Sequence, residues 1–507
     1  MAVSLLDRYA SRIAGVLSSF DRVVMTGTLT DICHPTAMSA WLVLHGIRIF
    51  DYAKKFAEPL RDEIRKNAEA VARAAGLEIE HVRKKSFRKE ARIKEVLAAR
   101  GEHPGLVHVL SAMEGCTAFK PWHNKLTGQT FLQAKPGQCL HYYFYFILED
   151  LGLCYVRVPT WAPFRLQIYF NAHNWLAAKL KRAGIGFTMQ DNAFLDMEDF
   201  PRAQQLADTL QPGRLQRRFD ELAARVCPAI QQFPRGCYWS LMQVEYATDI
   251  VFRRREDLAA LYETLTRTAI HAVKPEEVAM FLGRKLDPRV AAELGSEFHT
   301  RIEGTCIRHH MGKAAIKMYD KFGLVLRIET LANDVSFFKD HRWVEGRDGQ
   351  GRFKLAPLPK NLHSLKPLRA LLGAANRRYL EFLSALDDPS AGIPHMQKLA
   401  TSAREGDHTY RGFNLLDAKD LGVFRAICRG EFAISGFTAR MLRKALGEPS
   451  AGRVSRLLKR LRTHGLIKKI GLRYKYYLTE LGRRAATTAL KLSSLFIIPS
   501  LAGHAHD

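Results

Sequence analysis

The chain has 507 residues, 47% hydrophobic and 25% charged, a globular balance with length for two to four domains. Its 77 Lys and Arg against 51 Asp and Glu leave a net charge of +26, which points to a polyanionic partner, nucleic acid before others. Eight cysteines without a C-x-x-C pair speak against a zinc ribbon, Asp7, Arg8 and Arg12 break any signal peptide, and no apolar run reaches the roughly 20 residues of a membrane span, so a cytoplasmic protein with no membrane partner is expected.

In chain order, residues 1–20 read as a short amphipathic helix and 21–29 as a strand. Residues 35–75 are mostly helical, and the basic stretch 81–100 reads as a solvated helix that could also track phosphates. From Gly105 the character becomes β, with candidate strands at 106–113, 140–148, 153–158 and 164–170. The run His141-Tyr142-Tyr143-Phe144-Tyr145-Phe146 has two readings. Tyr143 and Tyr145 face outward and stack nucleobases, or the strand is covered on both sides. Helices return over 196–229, followed by a strand at 239–252, a helix at 256–271, a strand at 300–309, a hairpin at 313–330 and a helix at 366–386. The expected class is α+β: a large mixed α/β region with antiparallel sheets, then a C-terminal winged helix-turn-helix. The expected regions are 1–230, 231–386, a polar linker 387–412 and a DNA-binding module 413–492.

The hairpin carries the candidate chemistry. Alternation places Ile316, Met318, Leu324, Leu326 and Ile328 on one face and Lys317, Tyr319, Arg327 and Glu329 on the other, with Asp320 at the rim. Glu245 and Asp249, four apart on the 239–252 strand, share a face. With Asp320 and Glu329 they could hold Mg²⁺ or Mn²⁺ for phosphodiester cleavage. The competing account pairs Glu245 with Arg327 or Lys317 across strands. Tyr379, after Arg377-Arg378, is the first choice of tyrosine nucleophile.

In the C-terminal module a third helix at 451–464 has a core stripe of Val454, Leu457, Leu458 and Leu461, and Arg453, Ser455, Arg456, Lys459 and Arg460 fill its remaining surface. Two short strands follow, with Lys468, Lys469, Arg473 and Lys475. The run Ser-Arg-Leu-Leu-Lys-Arg-Leu-Arg-Thr-His-Gly-Leu-Ile, then Tyr-Tyr-Leu-Thr-Glu-Leu-Gly, resembles the winged helix of MarR-type regulators over about 75 residues. The resemblance implies that Ser455, Arg456 and Lys459 read bases, and that the four basic wing residues hold phosphates of double-stranded DNA. The order Lys-x-Tyr-Asp-Lys, a turn, then Leu-Arg-Ile-Glu is similar to rolling-circle replication initiators of phages and plasmids, over about fifteen residues. That likeness implies a sheet-borne metal and a tyrosine that nicks one strand. The family's internal His-hydrophobe-His is missing; those letters occur here only at His504-Ala505-His506. Three functions are therefore carried forward: a metal-dependent nicking initiator, a winged-helix transcriptional regulator with a large sensor region, and an RNA-binding protein; single-stranded DNA or RNA join double-stranded DNA as candidate partners. A homodimer would suit an operator-type reader.

Overall fold

The computed structural model of the chain describes residues 4–502 apart from 85, 285–293, 302–303, 347–348, 388–391, 430–431, 433–435 and 471–473. The chain divides into two compact units, Met1–Asp387 and Asp388–Asp507.

The first unit is built on one eleven-stranded sheet, so the regions expected on either side of residue 230 share a single backbone ladder. Its strands are β1 (Ile13–Leu29), β2 (Ile79–Val82), β3 (Gly105–His123), β4 (Thr130–Leu148), β5 (Gly152–Pro159), β6 (Leu166–Phe170), β9 (Cys237–Phe252), β10 (Leu294–Arg301), β11 (Gly304–Met311), β12 (Ala314–Lys321) and β13 (Val325–Ala332). Two hairpins stand apart from it in this unit: β7 (Phe187–Gln190) with β8 (Ala193–Met197), between β6 and β9 in sequence, and β14 (Lys339–Glu345) with β15 (Gly351–Pro357), after β13. The spatial order is β10-β11-β12-β13-β9-β1-β6-β5-β4-β3-β2, with every pairing antiparallel except β2 with β3.

That order repeats a topology. A long strand (β1 or β9) is followed by helices and then by a four-strand meander (β3–β6 or β10–β13), whose last strand returns to pair with the long one. The helices are α2 (Pro35–Leu44) and α3 (Glu58–Ala74) in the first half, and α8 (Arg255–Ala272) and α9 (Pro275–Phe281) in the second. β1 and β9 pair with each other at the centre, from Ile13 opposite Phe252 to Leu29 opposite Cys237.

The helix expected over residues 1–20 is confined to one turn, α1 (Leu5–Arg8), and the rest belongs to β1. Gly15, Val16, Ser18 and Ser19 are weak helix formers, and the ladder to β9 satisfies their backbone groups. The strand expected at 300–309 spans a hairpin corner, with β10 ending at Arg301 and β11 starting at Gly304. α4 (Lys89–Arg100) occupies the basic stretch. Its cations are partly spent on Glu114 (2.6 Å from Lys89), Glu80 (2.9 Å from Arg92) and Asp191 (2.8 Å from Lys94).

One face of the sheet is apolar and covered by helices. Val23, Phe144, Val156, Ile168 and Phe170 lie in one core with residues of α3 and α7 (Pro212–Val226). Ile250, Ile316, Met318, Leu326 and Ile328 lie in another with α8 and α10 (Leu365–Asp387). The opposite face carries the polar residues, and parts of it are also covered. Tyr143 and Tyr145 are buried with Ile93 of α4, so these tyrosines are packing groups and not open stacking platforms.

The second unit contains α11 (Gly392–Ala400), a small hairpin β16–β17 (Ala403–Glu405, His408–Tyr410), α12 (Ala418–Ile427), α13 (Ala439–Ala445), α14 (Ala451–Thr463), a second hairpin β18–β19 (Ile467–Ile470, Lys475–Leu478) and α15 (Glu480–Lys491). Within the stretch read as a linker, Leu399 packs into this unit's core with Phe413 and Phe424, so residues 392–410 are folded chain. Val454, Leu458 and Leu461 of α14 point into the same core.

Candidate metal centre

The hairpin expected at 313–330 forms as β12 and β13. Lys317 stands opposite Glu329 and Tyr319 opposite Arg327, the register that alternation requires. Phe322 and Gly323 both adopt positive φ (58° and 71°), as a tight hairpin turn demands. The Asp320 carboxylate accepts the Gly323 N–H at 3.0 Å and so closes that turn. Asp320 faces Leu326 across the ladder and alternates away from Glu329, so it is not a ligand beside Glu329.

β13 pairs next with β9, which sets Arg327 opposite Asp249 and Glu329 opposite Ala247, two residues from Glu245. β9 pairs with β1, where the register slips by one between Phe20/Tyr246 and Arg22/Glu245. This β-bulge leaves Asp21 without a cross-strand partner and brings its carboxylate to the polar face. Asp21, Glu245 and Glu329, from three adjacent strands, then place one carboxylate oxygen each within 4.8 Å of one another.

A dense polar network surrounds them. Lys317 Nζ donates to Glu245 at 3.3 Å and to Glu329 at 3.5 Å, and the Tyr319 hydroxyl donates to Glu329 at 2.6 Å. Arg327, fully buried, grips both Asp249 oxygens at 2.6 Å and lies 3.2 Å from Asp21. Its guanidinium also donates to the Asn192 carbonyl at 2.7 Å. His173, from α5 (Ala172–Arg182), sits 3.3 Å from Asp21 and 3.6 Å from Asp249. Asn171 donates to Asp21 at 3.0 Å; Asn192 also donates to Asp21 and accepts from Lys321.

These contacts separate the carboxylates chemically. Burial would raise Asp21, but Arg327, His173 and Lys321 outweigh it and hold the group far below the usual carboxylate range. Burial, then the charge of Glu329, pushes Glu245 up to about 9 against the pull of Lys317. Glu329 is itself lowered, because Lys317 and the hydrogen bonds from Glu245 and Tyr319 overcome its burial. One proton is thus shared by the glutamates and resides on Glu245. Asp249 belongs to the arginine: bound bidentately and fully buried, it is a counterion of Arg327 and stands outside the converging trio. The ligand set of the sequence reading is corrected accordingly. Glu245 and Glu329 converge, Asp249 and Asp320 do not join them, and Asp21 does. Three carboxylate oxygens are a hard donor set that suits Mg²⁺ or Mn²⁺.

Tyr379 lies elsewhere. It is fully buried on α10, edge-on to Phe281 with centroids 5.1 Å apart, and its hydroxyl is 3.2 Å from His309 Nε2. Burial drives its pKa far up, and it belongs to the core on the helical face, away from the carboxylates. His309 is also fully buried, with Ser296 Oγ 2.7 Å from Nδ1, and burial pushes its pKa down to about 4. A histidine in the unfolded chain titrates near 6.5. The unfolded state therefore takes up the proton first on acidification. The stability held by neutral His309 is complete above about pH 6.5 and is lost as pH falls through 4. The expected loss is up to about 3 kcal/mol, read by urea titrations at pH 7 and pH 4, and His309→Gln should shrink it. Equal pH dependence in both proteins would overturn this assignment.

In the second unit, Arg453, Ser455, Arg456 and Lys459 are exposed on α14, and Lys468 and Lys469 are exposed on β18. Lys475 is half-buried on β19, and Arg473 lies outside the described residues, as do His504 and His506. Arg460 is not available to a ligand. It is buried, paired with Asp420 at 2.8 Å, stacked over Phe413 at 3.7 Å and bonded to the Arg411 and Gly412 carbonyls. The stripe of Val454, Leu457, Leu458 and Leu461 left Arg460 on the remaining surface; the buried Asp420 that draws it inward comes from another helix.

Asp21, His173, Asn171 and Asn192 escaped the sequence reading, and Lys321 entered it only as the last residue of the Lys-x-Tyr-Asp-Lys run. A charge opening the apolar run Val23-Val24-Met25 was visible at Asp21, but the bulge that aims it was not. No family profile matches the chain, and no curated protein matches it. Among the described residues no helix is long and apolar enough to cross a membrane.

Proposed function

We propose that the chain is a DNA-binding protein of mobile-element type, a replication initiator or nickase whose phosphodiester-cleaving centre is formed around Asp21, Glu245 and Glu329. The observation that carries the reading is the convergence of three carboxylates from β1, β9 and β13 beside a lysine and a tyrosine. A hard divalent cation held there would neutralise a phosphoryl oxygen. Lys317, between the two glutamates, lies where it can meet another phosphate oxygen. Tyr319 replaces Tyr379 as the attacking group in this reading, since its hydroxyl donates to Glu329, a carboxylate placed as a general base. In the free protein, burial and the charge of Glu329 hold the proton on the phenol.

Incubation with supercoiled plasmid and Mn²⁺ tests the proposal. The expected products are nicked circles and a detergent-resistant protein–DNA adduct, lost in Tyr319→Phe and kept in Tyr379→Phe. Nicking without an adduct would remove Tyr319 as nucleophile.

DNA targeting is assigned to the second unit as a winged helix, with α14 as recognition helix and β18–β19 as wing. The exposed Arg453, Ser455, Arg456 and Lys459 support this, as do Lys468 and Lys469. Lys468→Ala with Lys469→Ala should lower the slope of log K against log salt by about 2, weakening binding alike on all sequences. Arg456→Ala with Lys459→Ala should instead erase sequence preference. An unchanged slope and an unchanged footprint would dismiss this face.

A second reading has its own observation. The acids Asp21, Asp249, Glu245 and Glu329 are matched by Arg327, Lys317 and His173 in direct contact and by the charge of Lys321 on Asp21. A network so balanced can simply hold the sheet together, with the protein acting as a winged-helix regulator. Metal binding separates the two.

A further inference from the structure

Behind the carboxylates, on the helical face, a cavity of about 360 Å³ opens between α10, β1, β9 and α6 (Phe200–Ala207). This is the size of a small-molecule site and too large for a packing defect. Val16 and Leu380 supply apolar wall, while Ser18, Thr248 and Tyr246 bring hydroxyls to the lining. Arg369, Arg377 and Asp208 also line it. Arg369 is engaged 3.3 Å from Asp208, whereas the exposed Arg377 has no acid partner among the described residues.

A glycine points the same way. Gly373 lies within the 23 residues of α10, and its backbone does not call for glycine. A Cβ there would meet Tyr246 at 3.4 Å and Arg377 at 3.8 Å, ordinary contact, so alanine would fit and would stabilise the helix. The helix instead carries glycine where a side chain would project into the cavity.

We infer that this cavity binds a small amphipathic anion, its apolar body against Val16 and Leu380 and its single anionic head on Arg377. The inference does not depend on the metal centre, from which the thickness of the sheet separates it.

The probe is 8-anilinonaphthalene-1-sulfonate, an apolar ring system with one sulfonate, titrated into the full-length folded protein. A saturable fluorescence rise with one molecule bound is expected. Arg377→Ala, at an exposed position, should weaken it about tenfold by removing one charge-assisted hydrogen bond. Gly373→Leu should abolish it by filling the cavity. Absence of saturable binding, or wild-type affinity in Arg377→Ala, overturns the inference. Arg377→Ala decides alone if Gly373→Leu disturbs the fold.

Discussion

Arg327→Leu is expected to cost the first unit about 3–5 kcal/mol of stability, a large share of what holds a domain together. The side chain is fully buried and serves Asp249 through two 2.6 Å hydrogen bonds and Asp21 at 3.2 Å. Leucine keeps much of the volume but leaves two aspartates desolvated with only His173 and Lys321 as nearby cations. Burial would then raise both carboxyls, which Arg327 now holds down, Asp249 at about 2. Lysine is no substitute, because one ammonium cannot span two oxygens of Asp249 and still reach Asp21. The readout is clean: all six tryptophans (41, 122, 161, 175, 239 and 343) lie in the first unit, so urea unfolding followed by tryptophan fluorescence reports that unit alone. A loss below about 1 kcal/mol would mean that water reaches the pair and that it is worth no more than an exposed ion pair.

The second large effect concerns metal. Titration of the full chain with Mn²⁺ should reveal one site, weakened on the order of 100-fold or more in Asp21→Asn, Glu245→Gln or Glu329→Gln, with nicking lost in parallel. The pH dependence gives the sharper test. Without metal the Glu245 proton persists up to about pH 9, and a cation must displace it. Affinity should therefore rise with pH, about tenfold per unit between pH 6 and 8, and Glu245→Gln should flatten that slope along with its overall loss. Wild-type protein that takes up no Mn²⁺ would leave the balanced ion-pair network as the whole account, with function residing in the second unit.

The hairpin was legible in the sequence because its information is local. A period of two over 316–329 fixes which side chains share a face, and the observed register follows it. The α14 stripe was legible for the same reason. What could not be read is set by partners distant in sequence. Asp249 and Glu245 share a face as their spacing requires, yet one is claimed by Arg327 and the other by Lys317 and Glu329, a choice made by strand order. Tyr379 looked available beside two arginines, but a helix face against β11 buried it. The repeat of topology left no repeat of residues, since a meander constrains only hydrophobic alternation and turns.

The pairing of β1 with β9 has a consequence for biosynthesis. β1 closes the first half as an edge strand of 17 residues, and the strand that covers it ends 223 residues downstream of Leu29 (252 − 29). At about 5–20 residues per second, that edge waits on the order of 10–40 s on the ribosome with its backbone unpaired. Such an edge invites pairing with another nascent chain. Folding of this protein is therefore expected to depend on a chaperone that shields β1 until β9 emerges, and its yield to fall when translation is slowed between them.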